Sequence, residues 1–150
     1  MKDFSEHFTF ENMTKSDSYP QIVEHNRLEA KKFIDSGIKL SQLMEDIRTL
    51  LGVPLKETSG FRGLLLTSVG GFSSTSSHTR FEALDVIPIR LTIDEAFAEI
   101  KRNSYMFPTL RKVIKEQVKG KKWLHIEVKT KDSDTLAFYE TYDGKSYQRV

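Results

Sequence analysis

The sequence predicts an α+β fold, with N-terminal helices packed on a mostly antiparallel sheet. Three observations predict it. Apolar residues recur at helical spacing up to about Leu51; β-branched and aromatic runs separated by turn signals follow from Val53; and only the stretch after Thr92 returns to a helical pattern. A length of 150 residues fits one domain over 1–150 and can bury a real core.

The first eighteen residues are polar but carry Phe4, Phe8 and Phe10, and Thr9 or Glu11 can open a short helical turn. Pro20 suits a first helical position, and Ile22, Val23, Leu28, Ala30 and Phe33 continue a helix to an expected stop at Gly37. A second helix is expected over Leu40 to Leu51. Its Leu40, Leu43, Met44, Ile47, Leu50 and Leu51 form one apolar stripe, and Gly52 can end it. Val53 to Thr58 reads as a strand entering Ser59-Gly60-Phe61-Arg62. Residues 67–78, rich in Gly and Ser, read as a loop. Ala83 to Ile89 reads as a buried strand. Thr92 can cap a helix through about Lys101, with Asp94 and Glu95 in its first turn. Residues 109–118 and 122–130 read as strands joined by Lys119-Gly120, and Leu136 to Tyr142 with Lys145 to Val150 as a last hairpin across Asp143-Gly144.

The absence of cysteine excludes disulfides, thiolate zinc sites and Cys-His catalysis, so any metal must be held by nitrogen and oxygen. No apolar run has the roughly 18 residues of a membrane span, and the N-terminus carries no apolar signal region. Synthesis in the cytoplasm without a signal peptide is expected, and no membrane insertion. Residues 101–131 hold ten Lys/Arg against Glu116 and Glu127. A solvated face explains this, with attraction to a polyanion as the alternative; no nucleic-acid recognition signature accompanies it, so no nucleic acid partner is expected.

The chemistry concentrates in two segments. Six residues separate His78 from Asp85, and Trp123-Leu124-His125 lies far downstream. Two imidazoles and one carboxylate are the ligand set of a catalytic zinc site whose fourth position is open to water. Asp85 and His125 both sit in apolar runs, where an unpaired polar group is costly and a cation would satisfy it. Three carboxylates are candidates for the general base. Glu82 lies between His78 and Asp85. Glu127 shares strand alternation with His125, with a solvent-facing role as the plain alternative. Glu116 falls on His125's face if the hairpin loop has two or four residues, and on the opposite face if it has three. Glu116 is the preferred base. His7 and His25 read as surface or structural residues.

These segments lie in an order that resembles the zinc-dependent D-alanyl-D-alanine carboxypeptidase family of cell-wall peptidases. The closest likeness is to its small phage and prophage branch, which includes L-alanyl-D-glutamate endolysins. The resemblance runs from about residue 4 to 128. It rests on Ser5 to Asp17, Thr58-Ser59-Gly60-Phe61-Arg62, Val69-Gly70-Gly71, Ser76-Ser77-His78, Ala83-Leu84-Asp85-Val86 and Trp123-Leu124-His125-Ile126. It implies Zn2+ held by His78, Asp85 and His125, and Arg62 binding substrate and transition-state charge. It also implies that Ser76 and its loop order the first histidine and line the cleft, with Trp123 beside the metal. Two positions depart from the pattern. Phe81 stands where the family usually has Gly. Lys122 stands where many members carry the catalytic carboxylate, and a cation cannot serve as that base.

The expected function is a zinc peptidase cleaving a peptidoglycan stem-peptide bond next to a D-amino acid, as an endolysin-like endopeptidase or a D,D-carboxypeptidase. The expected protein is a monomer, acting on the wall after phage-type release or as a virion component. Its alternative is a catalytically silent phage structural or wall-binding protein on the same zinc scaffold. A non-peptidase metal-binding domain is a third reading.

Overall fold

The computed structural model describes residues 3–150. A short helix α1 (Phe10–Met13) is capped by Thr9, whose side chain accepts from Asn12 N. Then come α2 (Val23–Ala30), α3 (Ile34–Leu51), β1 (Leu55–Ser59), α4 (Leu64–Gly70), β2 (Ala83–Pro88), α5 (Ile93–Arg102), β3 (Leu110–Val118), β4 (Lys121–Val128), β5 (Ala137–Thr141) and β6 (Gln148–Arg149). The strands form one sheet in the order β1-β2-β4-β3-β5-β6. Every pairing is antiparallel except β3 with β5. The expected α+β architecture is therefore observed.

The two faces of the sheet have different partners. Leu84, Ile126, Val113 and Phe138 stand in register across β2, β4, β3 and β5, and all are buried in the core. Against this face pack α3 and α5. α3 contributes Leu40, Leu43, Met44 and Ile47, all buried, at i, i+3, i+4 and i+7. Each such side chain stabilises the fold by about 1.5–3 kcal/mol relative to exposure. The other face carries a second row: Ser59, Asp85, His125, Ile114, Tyr139 and Arg149 are consecutive register partners across all six strands. Period-two alternation thus separates core residues from site residues.

Two boundaries differ from the sequence expectation. Gly37 does not end a helix. The chain passes through a 3-10 turn at Lys31–Phe33, and α3 then runs unbroken through Gly37. A Cβ at Gly37 would lie 2.8 Å from the Phe81 ring, so the glycine serves packing, not termination. The Gly/Ser loop is also shorter than expected, because α4 occupies Leu64–Gly70. Its first turn is held from outside: Glu29 on α2 accepts from Leu64 N at 2.8 Å and Leu65 N at 3.4 Å. Such a cap between elements leaves no local signature. The capping box of α5 matches expectation, with Thr92 and Glu95 each accepting from the other's backbone.

Lys119 and Gly120, at φ 52° and 78°, form the two-residue turn between β3 and β4. Left-handed conformations at both central positions give the tight hairpin turn that matches strand twist. Val118 consequently pairs with Lys121, Glu116 with Trp123 and Ile114 with His125.

Candidate metal centre

His78, Asp85 and His125 come from three elements: a 3-10 turn over Ser77–Arg80, β2 and β4. The turn begins at Ser76, whose Oγ accepts from His78 N at 3.2 Å, and ends at Phe81 in the left-handed region. Asp85 and His125 are direct register partners. One potential ligand atom from each residue lies within 4.8 Å of the others, and all three residues are buried.

Hydrogen bonding assigns the ring nitrogens. His78 Nδ1 is 2.7 Å from the carbonyl of Gly60, which can only accept, so Nδ1 carries the proton. Burial pushes this imidazole below its ordinary pKa, against the raising effect of Asp85. A neutral ring protonated at Nδ1 leaves a lone pair on Nε2. That atom is buried without a hydrogen-bond partner, 3.3 Å from Asp85 Oδ2. A lone pair facing a carboxylate oxygen is unfavourable unless a cation lies between them.

His125 is held at both nitrogens, with Nδ1 2.9 Å from Asp85 Oδ1 and Nε2 2.7 Å from Glu127 Oε2. Burial would lower its pKa, but the two carboxylates raise it well above the ordinary histidine value. Burial alone would raise the Asp85 carboxyl; the two imidazoles hold it far below its usual range. A metal can replace the shared proton between His125 Nδ1 and Asp85, while His125 Nε2 keeps its proton and donates it to Glu127. Such an outer carboxylate fixes the tautomer and raises ligand basicity. The donor set therefore fits a divalent cation taken by His78 Nε2, the Asp85 carboxylate and His125 Nδ1.

Glu127 is not the solvent-facing residue that was its plain alternative. It is buried, accepts from Ser77 Oγ at 2.9 Å, and receives Arg111 Nε at 3.0 Å. Arg111 also bonds Glu82 at 3.0 Å, so Glu82 is tied into the same support and does not line the cleft. Despite the burial cost, His125 and the cations keep the Glu127 carboxyl down at about 2. Arg111 was missed by sequence reasoning, being one cation in a basic run.

A cleft of about 720 Å³ opens over the three ligands, lined also by Arg62, Ser76, Glu116 and Trp123. Lys122 does not line it. Trp123 Nε1 donates to Glu116 Oε2 at 2.8 Å, leaving Oε1 available to a water in the cleft. Burial first, and Asp85 second, raise the Glu116 carboxyl above its ordinary value.

Arg62 is positioned by a buried residue that sequence reasoning also missed. Asn26 Nδ2 donates to Thr14 O at 2.9 Å and Phe61 O at 3.0 Å, while its Oδ1 accepts from Gly63 N at 2.8 Å. The segment carrying Arg62 is thereby clamped on both sides, and Arg62 N donates to His78 O at 3.0 Å. The guanidinium lies 4.2 Å from the centre of the Phe72 ring, with Nε buried and unpartnered. A second groove of about 580 Å³ meets the cleft at Arg62, Asp85 and Trp123.

His7 and His25 lie away from this centre, with His7 Nδ1 2.7 Å from Glu45 and His25 Nε2 3.4 Å from Glu29. The basic run is dispersed. Arg102 pairs with Glu99, Lys115 with Asp94 and Glu140, and Arg111 is spent in the buried network.

Comparison with known proteins adds one finding. The family model described as Peptidase M15 matches residues 6–127, which include every residue of the metal centre. No curated protein matches the chain.

Proposed function

The chain belongs to the peptidase M15 family, and from that premise we propose a zinc-dependent peptidase that cleaves a peptidoglycan stem-peptide bond next to a D-amino acid. One observation carries the reading beyond family membership. A free carboxylate oxygen, Glu116 Oε1, lies in the same cleft as a buried N,N,O donor set and an arginine.

Zinc bound by His78, Asp85 and His125 would supply an electrophile that acidifies water and polarises a carbonyl. Glu116 accepts a proton from the attacking water at Oε1 and returns it to the leaving nitrogen. Its raised pKa suits both steps, since a base that is too weak cannot take the proton and one that is too strong cannot release it. The Trp123 indole fixes the carboxylate by holding Oε2. Arg62 offers a planar cation to the developing oxyanion or to a substrate carboxylate, and its burial strengthens that interaction. Ser76 starts the turn that bears His78 and forms part of the cleft wall. On this reading Glu116 supplies the carboxylate that Lys122 lacks. The stem peptide would come from the cell wall of a bacterium, reached by phage-type release or from a virion.

Glu116→Gln tests the assignment. The variant keeps its zinc and its melting temperature but loses hydrolysis of isolated peptidoglycan by about 10²–10⁴-fold, the usual contribution of a positioned acid–base group. Activity within a few-fold of the parent would remove Glu116 from the role. A parent that holds zinc yet cleaves no wall type would favour the silent wall-binding scaffold.

A further inference from the structure

The family match ends at residue 127, yet the cleft does not. Tyr139, Gly144 and Tyr147 also line it, and all three belong to the C-terminal arm formed by β5, β6 and their connection. Strand register explains how the arm reaches the site. β5 runs parallel to β3 with Thr141 opposite Glu116, and β6 returns with Gln148 opposite Glu140. Tyr147 therefore arrives level with Thr141, two strand positions beyond Glu116 across β5.

The intervening turn is built to hold that ring. Asp143 Oδ1 accepts from Lys145 N and Ser146 N, both at 2.8 Å, and from Thr141 Oγ1 at 3.2 Å. Gly144 N donates to Thr141 Oγ1 at 3.0 Å, and Gly144 takes φ 72°, where a side chain would be strained. A Cβ there would stand 3.6 Å from Val118, so the turn lies close to the end of β3. Tyr147 donates its hydroxyl to Gly144 O at 3.1 Å. This ties the phenol back to its own turn, and the residue, 48% exposed, lines the cleft. Burial and the charges of Glu116, Asp143 and Asp85 raise the phenol's pKa, which keeps the hydroxyl protonated and donating.

We propose that Tyr147 is a specificity-determining residue whose ring packs on the substrate peptide at the leaving-amine side of the scissile bond. The side follows from the order across the sheet: Asp85 and His125 stand on β2 and β4, Glu116 on β3, and Tyr147 past β5. Glu116 delivers its proton to the leaving nitrogen, so the cleft wall beyond Glu116, on the side away from the metal ligands, meets the residue that carries that nitrogen. A ring face suits a small apolar side chain and the flat amide next to it, contacts that aromatic rings make without a charge. This inference rests on the peptidase reading above and adds a substrate contact that lies outside the matched family region.

The test uses the full zinc-loaded chain and a synthetic stem peptide ending in D-Ala. Binding is read by quenching of Trp123, the single tryptophan, in the Glu116→Gln background, where turnover is removed. Steady-state kinetics are read in the parent background. Tyr147→Ala is expected to weaken the dissociation constant and KM about tenfold, roughly the upper range of an aromatic packing contact, with a much smaller change in kcat. Tyr147→Phe should stay within about threefold of the parent, because it keeps the ring. Unchanged peptide binding in Tyr147→Ala would overturn the proposal. So would equal losses in the Phe and Ala variants, or a fall in zinc content or melting temperature that accounts for the loss. If the unsubstituted protein neither binds nor cleaves any stem peptide, the peptidase reading itself falls, and the inference falls with it.

Discussion

Single residues explain the two departures from the family pattern. Phe81, where glycine is usual, takes φ 60° and is fully buried. A left-handed non-glycine residue costs roughly 1–2 kcal/mol. Its ring is repaid by contacts with Phe4, Phe10 and Phe61 at centroid distances of 5.3–6.4 Å, and Gly37 leaves room for it. Lys122 is exposed and paired with Gln117, while Glu116 stands in the cleft. A third residue yields a stability prediction. Glu57 Oε1 is buried without a partner, and burial, opposed by Lys15, raises its carboxyl to about 7. A raised folded-state pKa means that the native protein binds this proton more tightly than the unfolded chain. Stability is thus lost as pH rises from about 4.5 towards 7. Glu57→Gln should stabilise by about 1–3 kcal/mol above pH 7 and by nothing measurable below pH 4.5. Urea unfolding at both ends of that range would show it, and a difference independent of pH would reject the account.

At the scale of elements, register does most of the positioning. The Lys119-Gly120 turn fixes which residues of β3 and β4 face each other, and strand alternation carries Asp85, His125, Ile114 and Tyr139 to one face. The opposing face needs α3 close to the turn that bears His78, because Phe81 ends that turn and packs against Gly37. Alanine in a helix interior ordinarily gains about 1 kcal/mol over glycine. Here its Cβ would meet the Phe81 ring at 2.8 Å. Gly37→Ala should therefore destabilise, by about 1–3 kcal/mol as overpacking does, and lower the melting temperature. A rise in melting temperature would mean that the ring can move aside freely.

The whole molecule is arranged so that metal binding joins a loop to a sheet. His78 belongs to the 3-10 turn, while Asp85 and His125 belong to neighbouring strands. A cation shared by the three ligands stabilises the native state by about 2.7 kcal/mol at a free concentration one hundred times its dissociation constant. His125, held protonated by Asp85 and Glu127 when no metal is bound, must release its Nδ1 proton to ligate. Apparent affinity then rises with pH until His125's raised pKa is passed. The melting-temperature gap between zinc-loaded and chelator-treated protein should widen from pH 6 to pH 8. An absent gap, or one that does not vary with pH, would argue against this ligand set. Among the described residues, no helix is long and apolar enough to cross a membrane.

What the sequence determined by itself is whatever depends on spacing along the chain. Alternation and helical periodicity gave the α+β class, α3 from Leu40 onward, α5 and the β3–β4 hairpin, because burial on one face imposes a period of 3.6 or 2. Residue order also brought His78, Asp85 and His125 forward as a metal-binding set. Tertiary structure decided what depends on distant partners. Gly37 reads as a helix stop until Phe81 is seen against it, and Leu64–Gly70 reads as loop until Glu29 caps it. Glu127 resembles a surface acid until His125, Ser77 and Arg111 close around it, and Asn26 looks like any polar helix residue until it clamps the Arg62 segment. The arm that brings Tyr147 to the cleft is likewise a product of a parallel pairing, and nothing in local sequence encodes the strand that a segment will join. A side chain's chemistry is local, but its partners are chosen by the fold.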